Sequence, residues 1–323
     1  MSMIQNKDFP QPYEKCFLEV GDGHKVYVEK IGNPKGVPFI FLHGGPGSGC
    51  QNNHRSLFNL ENSNVILFDQ RGAGKSIPKR SLYKNTTQSL IADIEFIRKK
   101  FNIKKWSIVG GSWGSTLGLA YCEKFNEYVE GLVLRSVFLG TDSNVSWAFE
   151  KAAKTFRPEL WNKWVGLLDV EERKSPIKAY GKRLESVDKN ISNSAALAWS
   201  YYESILSQIS SDLIFPSSFK DKVFFNSTSD PNTPFFEWHY IKNNFFLEKD
   251  ELIKNAHKLN GILGSIVQGR YDLLCPVTNA YEVAIKWKTC NLIIVDEGAH
   301  SANSNPMREQ LVKAIKDLTN KLI

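Results

Sequence analysis

The stretch GGSWGST at residues 110–116 directly follows a short apolar run, WSIV, at residues 106–109, and leads into a segment with helical periodicity. One serine, Ser112, therefore stands between glycines where a buried strand turns into a helix. A turn this sharp forces its central residue into a crowded backbone conformation, and small neighbours are needed for the helix to pack back on the strand. The pattern Gly110-x-Ser112-x-Gly114 is typical of a nucleophile elbow, which exposes the serine hydroxyl. The alternative is a glycine-rich turn with an incidental serine, so the rest of the chain must decide.

Similar short apolar runs recur along the chain and predict buried strands, because they alternate little between apolar and polar residues. They lie at residues 37–45, 64–69, 106–111, 129–136, 264–269 and 291–298. Helical patterns separate several of them, so we expect an α/β fold in which a mostly parallel central sheet is flanked by helices. Two further runs around the Asp22-Gly23 turn predict a β-hairpin ahead of this sheet.

A long helical region interrupts the alternation of strands and helices. Its helical segments are rich in tryptophan and tyrosine and lie at residues 146–156, 159–168, 177–187 and 194–209. Without a convincing buried strand, this region is best explained as a helical cap, residues 139–245, inserted between two sheet strands. Residues 1–138 and 246–323 then form the core domain, and residues 226–234 are the best candidate for a loop.

The composition excludes several classes of protein. The 323 residues carry a formal net charge of +7, but the lysines are scattered and form no basic stripe, which argues against nucleic-acid binding. The five cysteines form no CxxC motif and no close cluster with histidine, so neither a disulfide framework nor a structural zinc site is expected. No apolar signal region begins the sequence and no apolar run approaches membrane-spanning length. We therefore expect a soluble, cytoplasmic protein that binds neither membranes nor a metal.

A nucleophilic serine needs a base to take its proton and an acid to hold that base. In a fold with a nucleophile elbow the chain order is serine, acid, histidine, with each residue following a sheet strand. Asp272 and His300 both lie a few residues beyond a predicted strand, so we expect a catalytic triad of Ser112, Asp272 and His300. Taken singly, Asp272 could cap the next helix and His300 could be a surface histidine. Asp296 is the alternative acid, but from its position at the end of the last strand its side chain points less well toward His300.

The oxyanion formed during acyl transfer needs backbone N–H donors. We expect one from Trp113, directly after the nucleophile, and one from Gly45 in HGGPGSG at residues 43–49. His43 precedes the serine and belongs to this glycine-rich loop, so we interpret it as structural.

Four motifs together resemble the proline iminopeptidase (prolyl aminopeptidase) family of α/β-hydrolases. They are LHGGPGSG (42–49), FDQRGAGKS (68–76), GGSWGSTLGL (110–119) and VQGRYDLLCP (267–276), and they span most of the predicted sheet domain. The resemblance implies the α/β-hydrolase fold and a serine aminopeptidase that frees an N-terminal proline from short peptides without a cofactor. Asp69 and Arg71 supply no obvious catalytic group, and we expect them to lock the loop beside the elbow as a charge-assisted pair.

The resemblance also implies a substrate site beneath the cap. Glu203 in AWSYYE (198–203) and Glu237 in FEWHY (236–240) match family positions that hold the substrate's charged amine. A protonated pyrrolidine nitrogen carries two N–H donors, which two carboxylates can accept; the alternative is that both glutamates are solvated helix charges. Further positions that match the family's substrate site are Arg135, Phe138 and Cys275, although Cys275 could equally be a buried core thiol.

Three residues depart from the family pattern. Tyr202 replaces a tryptophan, Ala148 stands where an aromatic residue is usual, and Ala299 replaces a glycine before His300. Ala148 predicts a wider slot, which leaves open a broader aminopeptidase, an amino-acid amidase or a small-acyl esterase. A catalytically inactive scaffold is the alternative from another class, although the intact triad positions argue against it. The oligomeric state is not predicted.

Overall fold

The computed structural model describes residues 9–219 and 232–323 and contains one eight-stranded sheet. Its strands are β1 (Glu14–Gly21), β2 (His24–Gly32), β3 (Val37–Leu42), β4 (Ser63–Phe68), β5 (Trp106–Ser112), β6 (Val129–Val137), β7 (Leu263–Gly269) and β8 (Cys290–Val295). The spatial order is β1-β2-β4-β3-β5-β6-β7-β8. Strands β1 and β2 pair antiparallel, as do β2 and β4, and all other pairs are parallel. The predicted α/β class and mostly parallel sheet are confirmed.

Helices follow the parallel strands and fill the segment between β6 and β7. They are α1 (Thr87–Lys100), α2 (Trp113–Phe125), α3 (Asp142–Ser146), α4 (Ala152–Phe156), α5 (Pro158–Gly166), α6 (Pro176–Leu184), α7 (Lys189–Leu206), α8 (Thr233–Lys242), α9 (Glu251–Asn255), α10 (Val277–Lys286) and α11 (Asn305–Leu322). A π-helical turn, Trp147–Lys151, joins α3 to α4.

The apolar strands are buried because helices cover both faces of the sheet. On one face α1, α2 and α10 pack on side chains such as Ile40 and Ile108, which are fully buried. On the other face α11 packs on alternate strand residues such as Phe39 and Val133. Burial on both faces explains why these strands read as continuous apolar runs.

The segment between β6 and β7 is helical as predicted, and its described residues form no strand. At its centre the ring of Trp164 lies between Tyr180 and Tyr202, with centroid distances of 4.5 and 4.3 Å. The Tyr202 hydroxyl donates to the Phe149 carbonyl at 2.9 Å, so a tyrosine replaces the family's tryptophan without leaving its polar atom unsatisfied. The domain boundaries stay a prediction.

Three further predictions concern a loop in this segment, membrane-spanning helices and the cysteines. Of the loop predicted at 226–234, residues 226–231 lie outside the described residues, and α8 already begins at Thr233. In the part of the chain that the structure describes, no helix is long and apolar enough to cross a membrane. All five cysteines are free thiols.

Candidate active site

The elbow forms at the end of β5, where Ser112 has φ 56° and ψ −126° immediately before α2. This is a sparsely populated backbone conformation that costs on the order of 1–3 kcal/mol. The flanking glycines are required by close packing. A Cβ on Gly110 would lie 2.3 Å from the Gly114 carbonyl oxygen, and one on Gly114 would lie 2.1 Å from that of Leu42. The glycines therefore let α2 pack against β5 and β3 and leave the serine at the tip of the turn.

Asp272 and His300 meet at the same edge of the sheet, behind β7 and β8. His300 Nδ1 lies 3.1 and 3.0 Å from the two carboxylate oxygens of Asp272. Backbone amides of Leu274 and Cys275 donate to Asp272 Oδ1 at 3.0 and 2.8 Å. Burial alone would raise the pKa of Asp272, but the charge and hydrogen bond of His300 and the Cys275 amide leave that pKa below its usual value. The buried carboxylate is thus held ionised against one ring nitrogen.

Ser112 and His300 line one cavity of about 320 Å³. The Cys275 thiol lines the same cavity, and its sulfur is within 4.8 Å of a ring nitrogen of His300. Burial raises the pKa of this thiol well above its usual value, so Cys275 is a neutral neighbour of the serine. Ser112, His300 and Cys275 therefore border the same small space, and the buried Asp272 is joined to it through His300.

The two rival assignments are occupied elsewhere. Asp296 is exposed and accepts from Arg270 at 2.8 and 3.0 Å. His43 is fully buried, with Nδ1 2.9 Å from the Gly44 carbonyl and Nε2 accepting from the Gln70 amide at 3.0 Å. Since both ring nitrogens of His43 bind the backbone, this ring agrees with the structural interpretation.

The predicted oxyanion donors lie on the two segments that the glycine-rich motifs form. Trp113 is the first residue of α2, where backbone amides have no acceptor within the helix. Gly45 has φ +108°, a conformation that favours glycine, and its amide has no acceptor among residues 9–219 and 232–323. Gln70 ties the two segments together: its side chain accepts from Trp113 Nε1 at 2.9 Å and donates to the His43 carbonyl at 2.9 Å.

The predicted pair of Asp69 and Arg71 is wrong. Arg71 instead forms a buried ion pair with Asp93, at 2.7 and 2.8 Å, and reaches Asp22 at 2.9 Å. Asp69 accepts from the backbone amides of Cys50 and Lys75 at 2.6 and 2.8 Å. Both residues lock this loop, but each does so through its own partners and not through the other.

Glu203 on α7 and Glu237 on α8 both line the cavity and are close enough to perturb each other's ionisation. Trp199 Nε1 donates to Glu237 Oε2 at 2.6 Å. Burial raises the pKa of Glu203 to about 7, and burial with the charge and hydrogen bond of Glu203 raises the pKa of Glu237 well above its usual value. The two carboxyl groups thus lie together in the cavity and can accept hydrogen bonds from a cation.

The remaining predicted substrate residues, Arg135, Phe138 and Cys275, also line this cavity. The Arg135 guanidinium packs against Gly111 and donates to the His300 carbonyl and, at 3.1 Å, to the Ser136 hydroxyl. Arg135 therefore holds the backbone of the histidine loop by a hydrogen bond and also lines the cavity.

Sequence reasoning missed several residues of the cavity wall. They are Gln51, His54, Phe149, Leu274 and Phe245. Phe245 has φ 54° and its ring lies 5.1 Å from that of Phe138 and 6.2 Å from that of Trp113. Phe245 belongs to no sequence motif, so its position beside the elbow is evident only from the folded structure. Trp199 lies within a motif quoted above, and its spacing of one helical turn from Glu203 is the signal that could have found it.

The fold and this geometry define the class, a serine hydrolase with the α/β-hydrolase fold. The family described as alpha/beta hydrolase fold matches residues 37–231 of the chain, and the chain belongs to it. Solved structures agree: the chain is similar to a proline iminopeptidase-related protein from Thermus thermophilus, with a TM-score of 0.59 and 19% identity over 95% of this chain and 98% of that one.

Curated relatives narrow the family further. The chain is 38% identical to a probable proline iminopeptidase of Leptolyngbya boryana over 97% of this chain and 95% of the relative. It is 37% identical to the proline iminopeptidase of Neisseria gonorrhoeae over 98% and 99%, and 39% identical to that of Arabidopsis thaliana over 94% and 79%. The chain therefore belongs to the proline iminopeptidase family, as its motifs predicted.

Proposed function

We propose that this protein is a serine aminopeptidase that releases an N-terminal proline from short peptides through a prolyl-enzyme intermediate. The observation that carries the proposal is a paired carboxyl site, Glu203 and Glu237, in the same cavity as Ser112. A serine hydrolase acting on neutral acyl groups has no need for two acids, the buried Glu237 and the half-buried Glu203, in the cavity of its nucleophile. Two acids suit a substrate with a charged amine close to the bond that is broken.

The acyl-transfer step follows from the three residues at the sheet edge. His300, held by Asp272 through Nδ1, takes the hydroxyl proton of Ser112 through its other ring nitrogen as the serine oxygen attacks the prolyl carbonyl. The amides of Trp113 and Gly45 donate to the oxyanion of the tetrahedral intermediate. His300 then gives the proton to the leaving amine, and water hydrolyses the prolyl-enzyme by the same route.

The carboxyl pair selects peptides with a free N-terminal amine. One N–H of the pyrrolidinium donates to Glu203 and the other to Glu237, while Trp199 keeps Glu237 in place. An acylated proline nitrogen has neither the charge nor any N–H donor. Because the amine is fixed near the elbow, only one residue fits between it and Ser112, which makes the enzyme an exopeptidase.

The proposal is tested with proline, alanine and leucine arylamides and with an N-acetyl-proline arylamide. We expect proline arylamide to be cleaved fastest and the acetylated substrate at least about 100-fold more slowly, since two charged hydrogen-bonded contacts of about 1.5–3 kcal/mol each are lost. The Ser112→Ala variant should lose both activity and labelling by a fluorophosphonate. Equal cleavage of the acetylated and free substrates would refute the amine site, and an unlabelled wild type would refute the serine mechanism.

We further propose that the protein acts in the cytoplasm. Five free thiols suit a reducing compartment, where disulfides are rare. Fractionation with detection of the native chain tests this location.

A further inference from the structure

A second cavity, of about 330 Å³, lies beside the catalytic cavity on the side of His300. Ala299 and Ser301, the chain neighbours of His300, line the second cavity, and Ser207 lines both. The Ser301 amide donates to the Ser207 carbonyl at 2.9 Å, which joins α7 to the histidine loop at this point. The two cavities therefore adjoin around the imidazole that protonates the leaving amine.

Helix α7 gives the direction in which a bound peptide runs. Glu203 and Ser207 are four residues apart, about 6 Å along the helix axis, and both line the catalytic cavity. Each residue of an extended peptide spans at most about 3.6 Å. A substrate with its amine at Glu203 and its scissile bond at His300 thus has its second residue beside Ser207. The chain beyond α7, at Gln208–Ser210, continues into the second cavity.

The second cavity has a polar lining with one titratable side chain. Its hydroxyl and amide groups come from Ser207, Gln208, Ser210, Ser301, Asn303 and Ser304. Glu297 is the only acidic or basic residue among its lining residues; it is exposed and forms no ion pair within the described ranges 9–219 and 232–323. The neighbouring Asp296 binds Arg270 and is not part of the lining.

We propose that this second cavity, which we call the leaving-chain groove, binds the part of the peptide that follows the scissile bond. Glu297 makes the groove favour a cationic side chain at the second or third residue of the substrate. Serine and amide groups supply partners for the peptide backbone, and the carboxylate supplies the selectivity. This inference rests on the proposed aminopeptidase function.

The test compares two sets of C-terminally amidated peptides, Pro-Xaa-Gly and Pro-Gly-Xaa, in which Xaa is lysine, glutamine or glutamate. The readout is the ratio of kcat/KM for the lysine peptide to that for the glutamate peptide, because a ratio cancels any general loss of activity. Exposed ion pairs contribute about 0.2–1 kcal/mol, so we expect a ratio of about five at low salt in at least one set. The ratio should approach one in Glu297→Gln, fall below one in Glu297→Lys, and shrink as salt is added to the wild type.

The Asp296→Asn variant is the matched control, since it removes a neighbouring acid that does not line the groove. It should keep the wild-type ratio. A ratio that is unchanged in Glu297→Lys, or equally changed in Asp296→Asn, would overturn the inference. Proline arylamide separates the two levels of failure: if the wild type does not cleave it, the proposed function is wrong, whereas cleavage with an insensitive ratio refutes the groove alone.

Discussion

The two halves of the candidate site are held by different kinds of structure. Ser112, Asp272 and His300 lie directly behind parallel strands β5, β7 and β8, so the backbone of the sheet sets their separation. Glu203 and Glu237 project from two helices between β6 and β7 and are held by side-chain contacts, including the bond from Trp199. Reaction chemistry and substrate choice therefore depend on separate parts of the fold, and we expect that each can be changed without the other.

The largest effect should come from removing the charge of the triad acid at the sheet edge. Asp272→Asn keeps the side chain's shape but removes the charge that holds the His300 tautomer, and we expect kcat to fall about 10⁴-fold on every substrate, with or without an amine. Asp296→Asn changes the rival acid and should leave kcat within about twofold. Steady-state kinetics on proline arylamide and on a simple acetate ester measure both. Comparable losses in the two variants would reverse the assignment of the acid.

Breaking the carboxyl pair should affect recognition alone. In Glu203→Gln the substrate ammonium loses a charged acceptor in a buried site, so we expect kcat/KM on proline arylamide to fall about 100-fold. Glu237→Gln should behave similarly. Hydrolysis of an acetate ester, which has no amine, should stay within about threefold, as should all activities of the exposed control Glu171→Gln. An equal fall on ester and arylamide would mean that the glutamates support the triad rather than bind the amine.

A smaller effect is expected at the wall of the cavity. Ala148 lines it, and because the family resemblance implies an aromatic residue at this position, we predict a wider slot there. Ala148→Phe should narrow the slot and disfavour bulky first residues, and a misfit of about one methylene corresponds to 1–3 kcal/mol. We expect the ratio of proline to leucine arylamide cleavage to rise about tenfold. If both rates fall in proportion, the position acts through packing and not through selectivity.

The same contrast explains what could be predicted from the sequence. Motifs that depend on backbone constraints can be predicted from the sequence. Glycines 110 and 114 indicate the elbow because no side chain fits there. The order of Ser112, Asp272 and His300 along the chain follows the order of the strands that precede them. Side-chain ion pairs within a turn cannot be predicted from spacing alone. The sequence therefore suggests Asp69 as the partner of Arg71, although Arg71 binds Asp93.

Long-range contacts account for the other omissions. Phe245 reaches the elbow only because the chain returns from the helical segment before β7, and no local pattern marks that return. Glu203 and Glu237 were found through family resemblance, because a glutamate on a helix looks solvated until its neighbours are known.

The smallest predicted effect concerns stability, and its sign is opposite to the effect on activity. An unfolded glutamate loses its proton near pH 4.5, whereas burial raises the pKa of Glu203 to about 7 in the folded protein. Between these values the folded state binds more protons than the unfolded state, so the free energy of unfolding falls as pH rises through this window. A glutamine side chain at this position cannot ionise and avoids this loss. Thermal unfolding should therefore show a Tm gain for Glu203→Gln that is larger at pH 8 than at pH 5, although the variant is less active on proline arylamide. A Tm difference that is independent of pH would mean that Glu203 keeps the ordinary pKa of a solvated helix glutamate.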